Sequence, residues 1–539
     1  MLLVQLSFGV ECLLLRFSSF LRWFLLQGLI MRFLELRGKS LITVILLTSG
    51  FDFLLFGCLF GGILGGQRFK DTLGNPDATM TGLVTAIYDI GCAIGAVVAF
   101  VFGEKIGRKR SIILANLIVV VGAAIQTASF DYWQMFVARI VAGVGVGLST
   151  VAVPILQSET LPAHNRGSLL VVQSALIIIG VAIASWLCFA TLYANSSLQW
   201  RFPVACQILF SLIVLALCPF LCETPRWLAS RGKIDEAKYT ISRLLDKPLD
   251  DEEVQGQLQE ILDAIEAESN EEAPSWSEVF SNATKTRNLH RVVLGMGPYL
   301  MNQWSGINAL CYYLAFILQE YLDYSASMSL ILASVAFTQY ALFSWPPYFY
   351  IDKIGRRWSV MGSSAGCAVC MFLIAGCLSK NSFSSAAAAV AFIFLYLDCF
   401  TLGILPVSWS YSAEIQPLRV RNKATAVGVF AHWLSNFVVV MVTPIGLDHI
   451  RGHYFWVWAV VCASFVPLTY FFGVETSGRT LEEIDMMFFE EPRLCMGLNK
   501  ENRTVIRKSK SDEEERYRKF AHANEKQGAI MAERISSEN

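Results

Sequence analysis

Glu104-Lys105-Ile106-Gly107-Arg108-Lys109 recurs as Asp352-Lys353-Ile354-Gly355-Arg356-Arg357, 248 positions later. Two further pairs keep nearly the same offset. Glu159-x-x-Pro162-x-x-x-Arg166 returns as Glu414-x-x-Pro417-x-x-x-Arg421, 255 positions on, and Glu223-Thr224 returns as Glu475-Thr476, 252 positions on. One short match arises easily by chance; three in order at one offset mark a duplicated chain. Each copy sits at the charged end of an apolar run, so the repeated unit is a set of membrane helices in one orientation. Parallel halves related by an axis along the membrane normal are a secondary-transporter architecture, with the substrate site between the halves near the midplane.

Composition agrees. Of 539 residues 54% are apolar and only 16% charged, against about 25% charged in an ordinary soluble domain. Mean hydropathy is +0.49. Twelve helices of about 20 residues need roughly 240 apolar-rich positions, which this chain has. A soluble enzyme, a secreted disulfide scaffold and a nucleic-acid binder are excluded, and the net charge of −1 gives no global field for phosphate. The expected fold is an all-α membrane protein of twelve spans in two parallel six-helix bundles.

Apolar runs of spanning length predict spans near 41–65, 79–102, 111–130, 133–157, 168–192 and 203–222, then near 290–319, 327–351, 359–379, 384–411, 423–446 and 453–473. The domains follow: a segment 1–40, a first bundle 41–223, a polar linker 224–289 with an amphipathic helix over 234–268, a second bundle 290–474 and a tail 475–539 that is disordered from about 499. Residues 1–30 carry Glu11, Arg16 and Arg22 as their only charges; they read as an amphipathic surface segment or as an over-extended start before Met31. Basic residues cluster after spans 2, 4, 8 and 10 (Lys105, Arg108, Arg166, Arg356, Arg419 and Arg421 among them). The positive-inside rule puts these loops, the linker and both termini in the cytoplasm, and the plasma membrane is the expected location. Asn195-Ser196-Ser197 is a glycosylation sequon on the outer side in this topology.

The matched acids and arginines, Glu104, Arg108, Glu159, Arg166, Glu223, Arg226, Asp352, Arg356, Arg357, Glu414 and Arg421, all fall at cytoplasmic span ends. They can form ion pairs that hold one arrangement of the halves and release another; equally, they can only fix topology and packing. The 14 cysteines lie mostly in apolar segments and read as small core residues, the C-x-x-C of Cys367 and Cys370 included. No nucleophile–base–acid set, metal cluster or phosphate loop is present, so no enzyme, cofactor or metal is expected. Gly143-Val144-Gly145-Val146-Gly147 lies inside span 4, where close helix packing accounts for it.

These residues, with Arg139, Pro154, Trp200-Arg201-Phe202-Pro203, Pro225-Arg226-Trp227, Gln303-Trp304-Ser305-Gly306-Ile307-Asn308, Tyr312-Tyr313 and Pro406-Val407-Ser408-Trp409, resemble the sugar porters of the major facilitator superfamily, the fungal hexose-type members most. The resemblance covers about residues 31–490. It implies transport of a monosaccharide, a hexose first, by alternating access in a uniporter or proton symporter. A sugar sensor of the same fold, or a carrier of a disaccharide, polyol or quinate-like acid, remains the alternative. The expected partners are the sugar, protons in the symport case and the bilayer, with a monomeric chain and no nucleic acid. The resemblance also implies that Gln173, Asn302, Gln303, Asn308 and Trp409 line a polyol cavity. Amides donate and accept as hydroxyls do, and an indole face packs on sugar C–H groups.

The chain departs from the family pattern in four places. Asn302 stands where the family has Gln. His432, before Trp433, stands where it has Asn or Gln, and either binds substrate or adds a titratable group. Tyr340, beside Gln339, replaces a polar Asn. In span 1, Phe56-Gly57-Cys58-Leu59-Phe60-Gly61-Gly62 lacks about three residues, including the Asp that pairs with the span-4 Arg in proton-coupled relatives. Arg139 then needs another partner, and Asp89 on span 2 is the nearest by sequence; Asp52 is less able to reach and Asp398 lies in the other half. Three readings follow: a uniporter, a symporter in which Asp89 takes over coupling, or a sequence carrying a deletion.

Overall fold

The computed structural model describes residues 36–57, 63–161, 166–194, 196–269, 275–282, 287–320, 323–379 and 383–479, with short pieces 483–484, 487–488, 495–499 and 501–505. The expectations for residues 1–35, for the span-1 gap at 58–62 and for Asn195 fall outside these.

The first six spans are single helices: Gly38–Gly57, Ala78–Ile106, Arg108–Thr127, Tyr132–Thr160, Arg166–Thr191 and Leu198–Leu217. Span 7 is two helices, Asn288–Trp304 and Ile307–Glu320. Span 8 is Ala326–Phe343 followed by Pro347–Ile354. Span 9 is Arg356–Leu378. Span 10 is Phe383–Thr401 followed by Ile404–Ile415. Spans 11 and 12 are Arg421–Ile450 and Tyr454–Phe472. Among the described residues, ten helical stretches are long and apolar enough to cross a membrane. That count merges spans 11 and 12 into Arg421–Phe472 and passes over span 7, whose pieces of 17 and 14 residues are each too short alone. Separating the one and joining the other gives twelve crossings.

The sequence reading places spans 7, 8 and 10 as single apolar runs, with a broken helix expected only in span 10 ahead of Trp409; the structure breaks all three, each for a local reason. Span 7 breaks at Ser305–Gly306, where Gly306 has φ +86° and a Cβ would lie 2.8 Å from the Trp458 ring. Span 8 breaks at Ser344–Pro346, because Pro346 and Pro347 supply no backbone N–H. Span 10 breaks before Ile404: a Cβ on Gly403 would lie 2.1 Å from the Ser359 carbonyl oxygen, so span 9 passes directly against the break. In the linker the expected helix over 234–268 is also two, Ile234–Leu245 and Glu252–Ser269, with Asp246 left-handed between them and Pro248 following. These pack with Pro225–Ser230 through Leu228, Ala237, Ile241, Val254 and Leu258.

Asp77 and Asp131 cap spans 2 and 4 by accepting from the backbone N–H of Met80 and Gln134. Small residues then let the backbones close up. A Cβ on Gly143 or Gly147 would sit 2.2 Å or 2.0 Å from the carbonyl oxygens of Tyr88 or Cys92 on span 2, and one on Gly145 would meet Ala115 on span 3 at 2.6 Å. Spans 2 and 11, and spans 5 and 8, join the two halves. Ser185 bonds Ser334 at 2.9 Å and Trp186 Nε1 donates to Thr338 Oγ1 at 3.0 Å across the second seam. Lys70 and Glu320 approach to 3.9 Å on the side opposite the basic loops.

Candidate functional site

The break in span 7 turns the Gln303 and Asn308 side chains toward span 11. Gln303 is buried, and its Nε2 donates to His432 Nε2 at 2.9 Å. Asn308 Nδ2 donates to Gln303 Oε1 and, at 2.6 Å, to Asn436 Oδ1. Asn436 Nδ2 in turn donates to Asp89 Oδ1 at 3.0 Å. Five side chains thus form one hydrogen-bonded line from span 2 of the first half into spans 7 and 11 of the second. Around it Tyr299, Trp409 and His432 stand mutually edge-on or tilted, with ring centroids 5.2–5.4 Å apart. Asn308 and Trp409 are half-buried. Asn302, also buried, donates from Nδ2 to Ser408 Oγ at 3.1 Å, a bond between spans 7 and 10. Gln173 on span 5 is buried, and among the described residues its amide has no hydrogen-bond partner.

Arg139 on span 4 donates from Nη2 to the Thr85 carbonyl at 2.6 Å and lies 4.9 Å from the centre of the Tyr88 ring. Asp89, fully buried one turn further along span 2, interacts with it electrostatically. Asp52 is held elsewhere, by Asn116 Nδ2 at 3.0 Å and by the Ser149 hydroxyl. Asp398 accepts from Gln339 Nε2 at 2.5 Å within the second half. Tyr340 is buried against Phe400.

At the basic face the two halves repeat one construction. Arg108 Nη2 meets Glu159 Oε1 at 3.0 Å, and Arg356 Nη2 meets Glu414 Oε1 at 3.0 Å. Gly107 and Gly355 adopt φ +96° and φ +94° with ψ 159°, and each opens a helix whose first N–H groups point at a glutamate. Glu223 accepts from the backbone of Arg108 at 2.8 Å and Lys109 at 3.2 Å. Glu475 accepts from Arg356 at 2.9 Å and Arg357 at 3.1 Å. An anion at a helix N-terminus is favoured by the unpaired N–H groups and the dipole. Burial pushes the Glu475 carboxyl above the usual carboxylate range, while the N–H groups of Ser477, Arg356 and Arg357 pull it down.

The expected acids therefore divide. Glu159 and Glu414 pair with arginine side chains, whereas Glu223 and Glu475 bind backbone. Asp352 pairs with Arg356 at 2.5 Å, but Glu104, its repeat partner, is exposed and contributes its carbonyl, which accepts from Trp227 Nε1 at 2.6 Å and Arg231 at 2.7 Å. Arg357 donates to the Tyr470 carbonyl at 2.7 Å, and Arg421 to that of Gln416 at 3.3 Å. Arg226 lies exposed at the start of Pro225–Ser230. The side chain of Arg166 falls outside the described residues. Among the described residues no group of His, Cys, Asp and Glu could hold a metal.

The family model for "Sugar (and other) transporter" matches residues 42–488. The chain belongs to this family. It is 37% identical to the MFS-type transporter oryC of Aspergillus oryzae, over 83% of this chain and 85% of that one. It is 36% identical to sugar transporter STL1 of Saccharomyces cerevisiae, over 84% and 82%. The high-affinity hexose transporter HXT6 of the same yeast is 31% identical, over 79% and 76%. Among solved structures, the proton:xylose symporter XylE bound to 6-bromo-6-deoxy-D-glucose superposes with a TM-score of 0.70 over 84% of this chain and 99% of that one, at 22% identity. At that identity the likeness shows the major facilitator fold alone. The chain is thus a multi-pass membrane protein of a transporter family.

Sequence reasoning missed Asn436, Ser408 and Tyr299. Asn436 was legible: it stands four residues after His432, one helical turn along the same face of span 11. Ser408 stood inside the Pro406–Trp409 motif with no role assigned to it, and Tyr299 carried no signal, since tyrosine is an ordinary residue in these helices.

Proposed function

We propose that this sugar-porter family member carries a monosaccharide, a hexose first, across the bilayer by alternating access. The carrying observation is the hydrogen-bonded cluster between the halves: Gln303 and Asn308 presented by a broken span and joined through Asn436 to Asp89 of the first half, with Trp409 packed on His432 beside them; in this reading Gln173, buried on span 5, belongs to the opposing wall. Amides match hydroxyls that both donate and accept, and the indole face excludes water from the sugar's C–H side. Asn302 and His432 complete the second-half wall. The hexose and sugar transporters among the relatives support this substrate class. Rocking of the halves exposes the cluster to one side at a time. The repeated Arg108–Glu159 and Arg356–Glu414 pairs, with Glu223 and Glu475 at the helix starts, serve as the clasps that hold each half's basic end together.

In the coupled form of this reading, Asp89 holds the proton and Arg139 the compensating charge. The positive-inside distribution supports cytoplasmic termini and a plasma-membrane location. The work done is translocation, without covalent chemistry on the solute. Uptake of labelled hexoses into cells lacking their own hexose carriers tests the proposal. Uptake above the empty-vector control is expected; correct surface localisation with no uptake of any hexose, pentose or polyol overturns it.

A further inference from the structure

The hydrogen-bonded line from Asp89 to His432 has a direction. An ionised carboxylate only accepts, so Asn436 must turn its amino end to Asp89 Oδ1. Its carbonyl then faces Asn308, which donates to it. Asn308 also donates to Gln303 Oε1, leaving Gln303 Nε2 to donate to His432. Every amide in the line is oriented by the one before it. The Asn308 carbonyl is the acceptor left over for a solute hydroxyl. The line crosses between the halves at a single step, Asp89 to Asn436, across the seam of spans 2 and 11.

A second observation concerns the other carboxylate oxygen. Asp89 Oδ2 is buried and, among the described residues, has no hydrogen-bond partner. It is a seat for a proton that displaces no existing bond. The titratable and charged groups around Asp89 are Arg139 from span 4, Tyr312 and Tyr313 from span 7, and Tyr88 and Cys92 on its own span. From span 11 it meets the Asn436 amide, with His432 one turn beyond. Arg139 is the only cation in this set, so loss of the Asp89 charge leaves the pocket positive until the solute or the halves rearrange.

We propose that Asp89 and Asn436 form a proton-read latch between the two halves, in which the protonation state of Asp89 sets the hydrogen-bond polarity that Asn308 and Gln303 present to the sugar. With Asp89 ionised, the amide orientations are locked as described. With Oδ2 protonated, the uncharged carboxyl turns over to bring its hydroxyl to span 11 in place of Oδ1; there it donates to the Asn436 carbonyl as that amide turns, and Asn308 and Gln303 reverse in sequence. The proton comes from and returns to the aqueous side to which the cavity is open, and no bond other than O–H is made or broken. Proton and solute affinities are then linked, each changing the other by the same factor. Asn436 touches no solute in this account; it is a positioning residue that transmits the state of Asp89.

This inference rests on the transport reading, and the experiment separates the two. The purified full chain is reconstituted in liposomes, and the KM for labelled D-glucose is measured against pH, with the wild type compared to Asp89→Asn, Asn436→Ala and Asn436→Gln. The expected result is a wild-type KM that changes about tenfold between about pH 5 and about pH 8, flattened to under about twofold in Asp89→Asn and Asn436→Ala, and partly restored by the amide of Asn436→Gln. Wild-type transport whose pH dependence survives in Asn436→Ala overturns the latch and leaves the transport reading standing. A second measurement needs no solute: the infrared carboxylic-acid band that grows on acidifying the wild type and is absent in Asp89→Asn. Its midpoint is expected to move in Asn436→Ala. No Asp89 band between about pH 4 and about pH 9, or an unmoved midpoint, refutes the latch whether or not glucose is carried.

Discussion

Replacing Gly355 with Ala tests the most constrained point of the molecule. Gly355 has φ +94° and ψ 159°, a region that essentially only glycine occupies, and holding a side chain there costs about 1–3 kcal/mol. A Cβ would also lie 2.3 Å from Glu475 Oε2 and 2.6 Å from its Cδ. Glu475 is 0% exposed and cannot swing into solvent, so the methyl group expels its carboxylate from the N–H groups of Arg356 and Arg357. Each hydrogen bond to a charged group contributes about 1.5–3 kcal/mol. Strain plus two lost bonds comes to about 4 kcal/mol at the least, a large part of the roughly 5–15 kcal/mol that holds an ordinary domain folded. Gly107→Ala is the milder twin: its contact with Glu223 Oε2 is 2.6 Å, and Glu223 is half-buried and can shift. Gly362, mid-helix in span 9, has nothing within 4 Å of its added Cβ, so Gly362→Ala stabilises by about 0.5–1 kcal/mol. Thermal melting of the detergent-purified protein, followed by monodispersity, should rank the variants Gly362→Ala above wild type, then Gly107→Ala, then Gly355→Ala. Equal melting of Gly355→Ala and wild type would refute the reasoning.

The clasp pairs are tested separately. Glu414→Gln loses the 3.0 Å contact with Arg356 and weakens the acceptor of the Thr476 hydroxyl at 2.6 Å; the expected result is a several-fold lower maximal rate with KM little changed, read by initial uptake rates. Glu159→Gln should act in the same direction through Arg108. Asn308→Ala removes two bonds of the central line, at about 0.5–1.5 kcal/mol each, and should raise KM roughly tenfold with normal surface abundance. Arg139→Ala should impair uptake even if transport is uncoupled, because it strips the buried carboxyl of Asp89 of its cation; unchanged uptake would make Arg139 merely structural. Finally, Asn195→Gln should remove an endoglycosidase-sensitive mobility shift if the loop after span 5 is extracellular, and a shift that persists would count against that topology.

The sequence by itself determined the architecture. The three repeat pairs need only their offset to be read, and the apolar runs place twelve crossings because lipid demands about 20 apolar residues for each. The basic ends of the halves were also legible, since Gly107 and Gly355 sit in copies of one motif. Tertiary structure alone decided who bonds to whom. Glu223 and Glu475 could as readily have paired with arginine side chains; they bind backbone because positive-φ glycines aim helix N-termini at them. Asp52 and Asp89 are both acids buried in the first half, yet Asn116 and Ser149 take one and Asn436, 347 residues away, takes the other. The breaks in spans 7, 8 and 10 were partly hidden for the same reason. Hydropathy is a property of neighbours along the chain, whereas a hydrogen-bond partner depends on the register between helices that meet only after the bundle has packed.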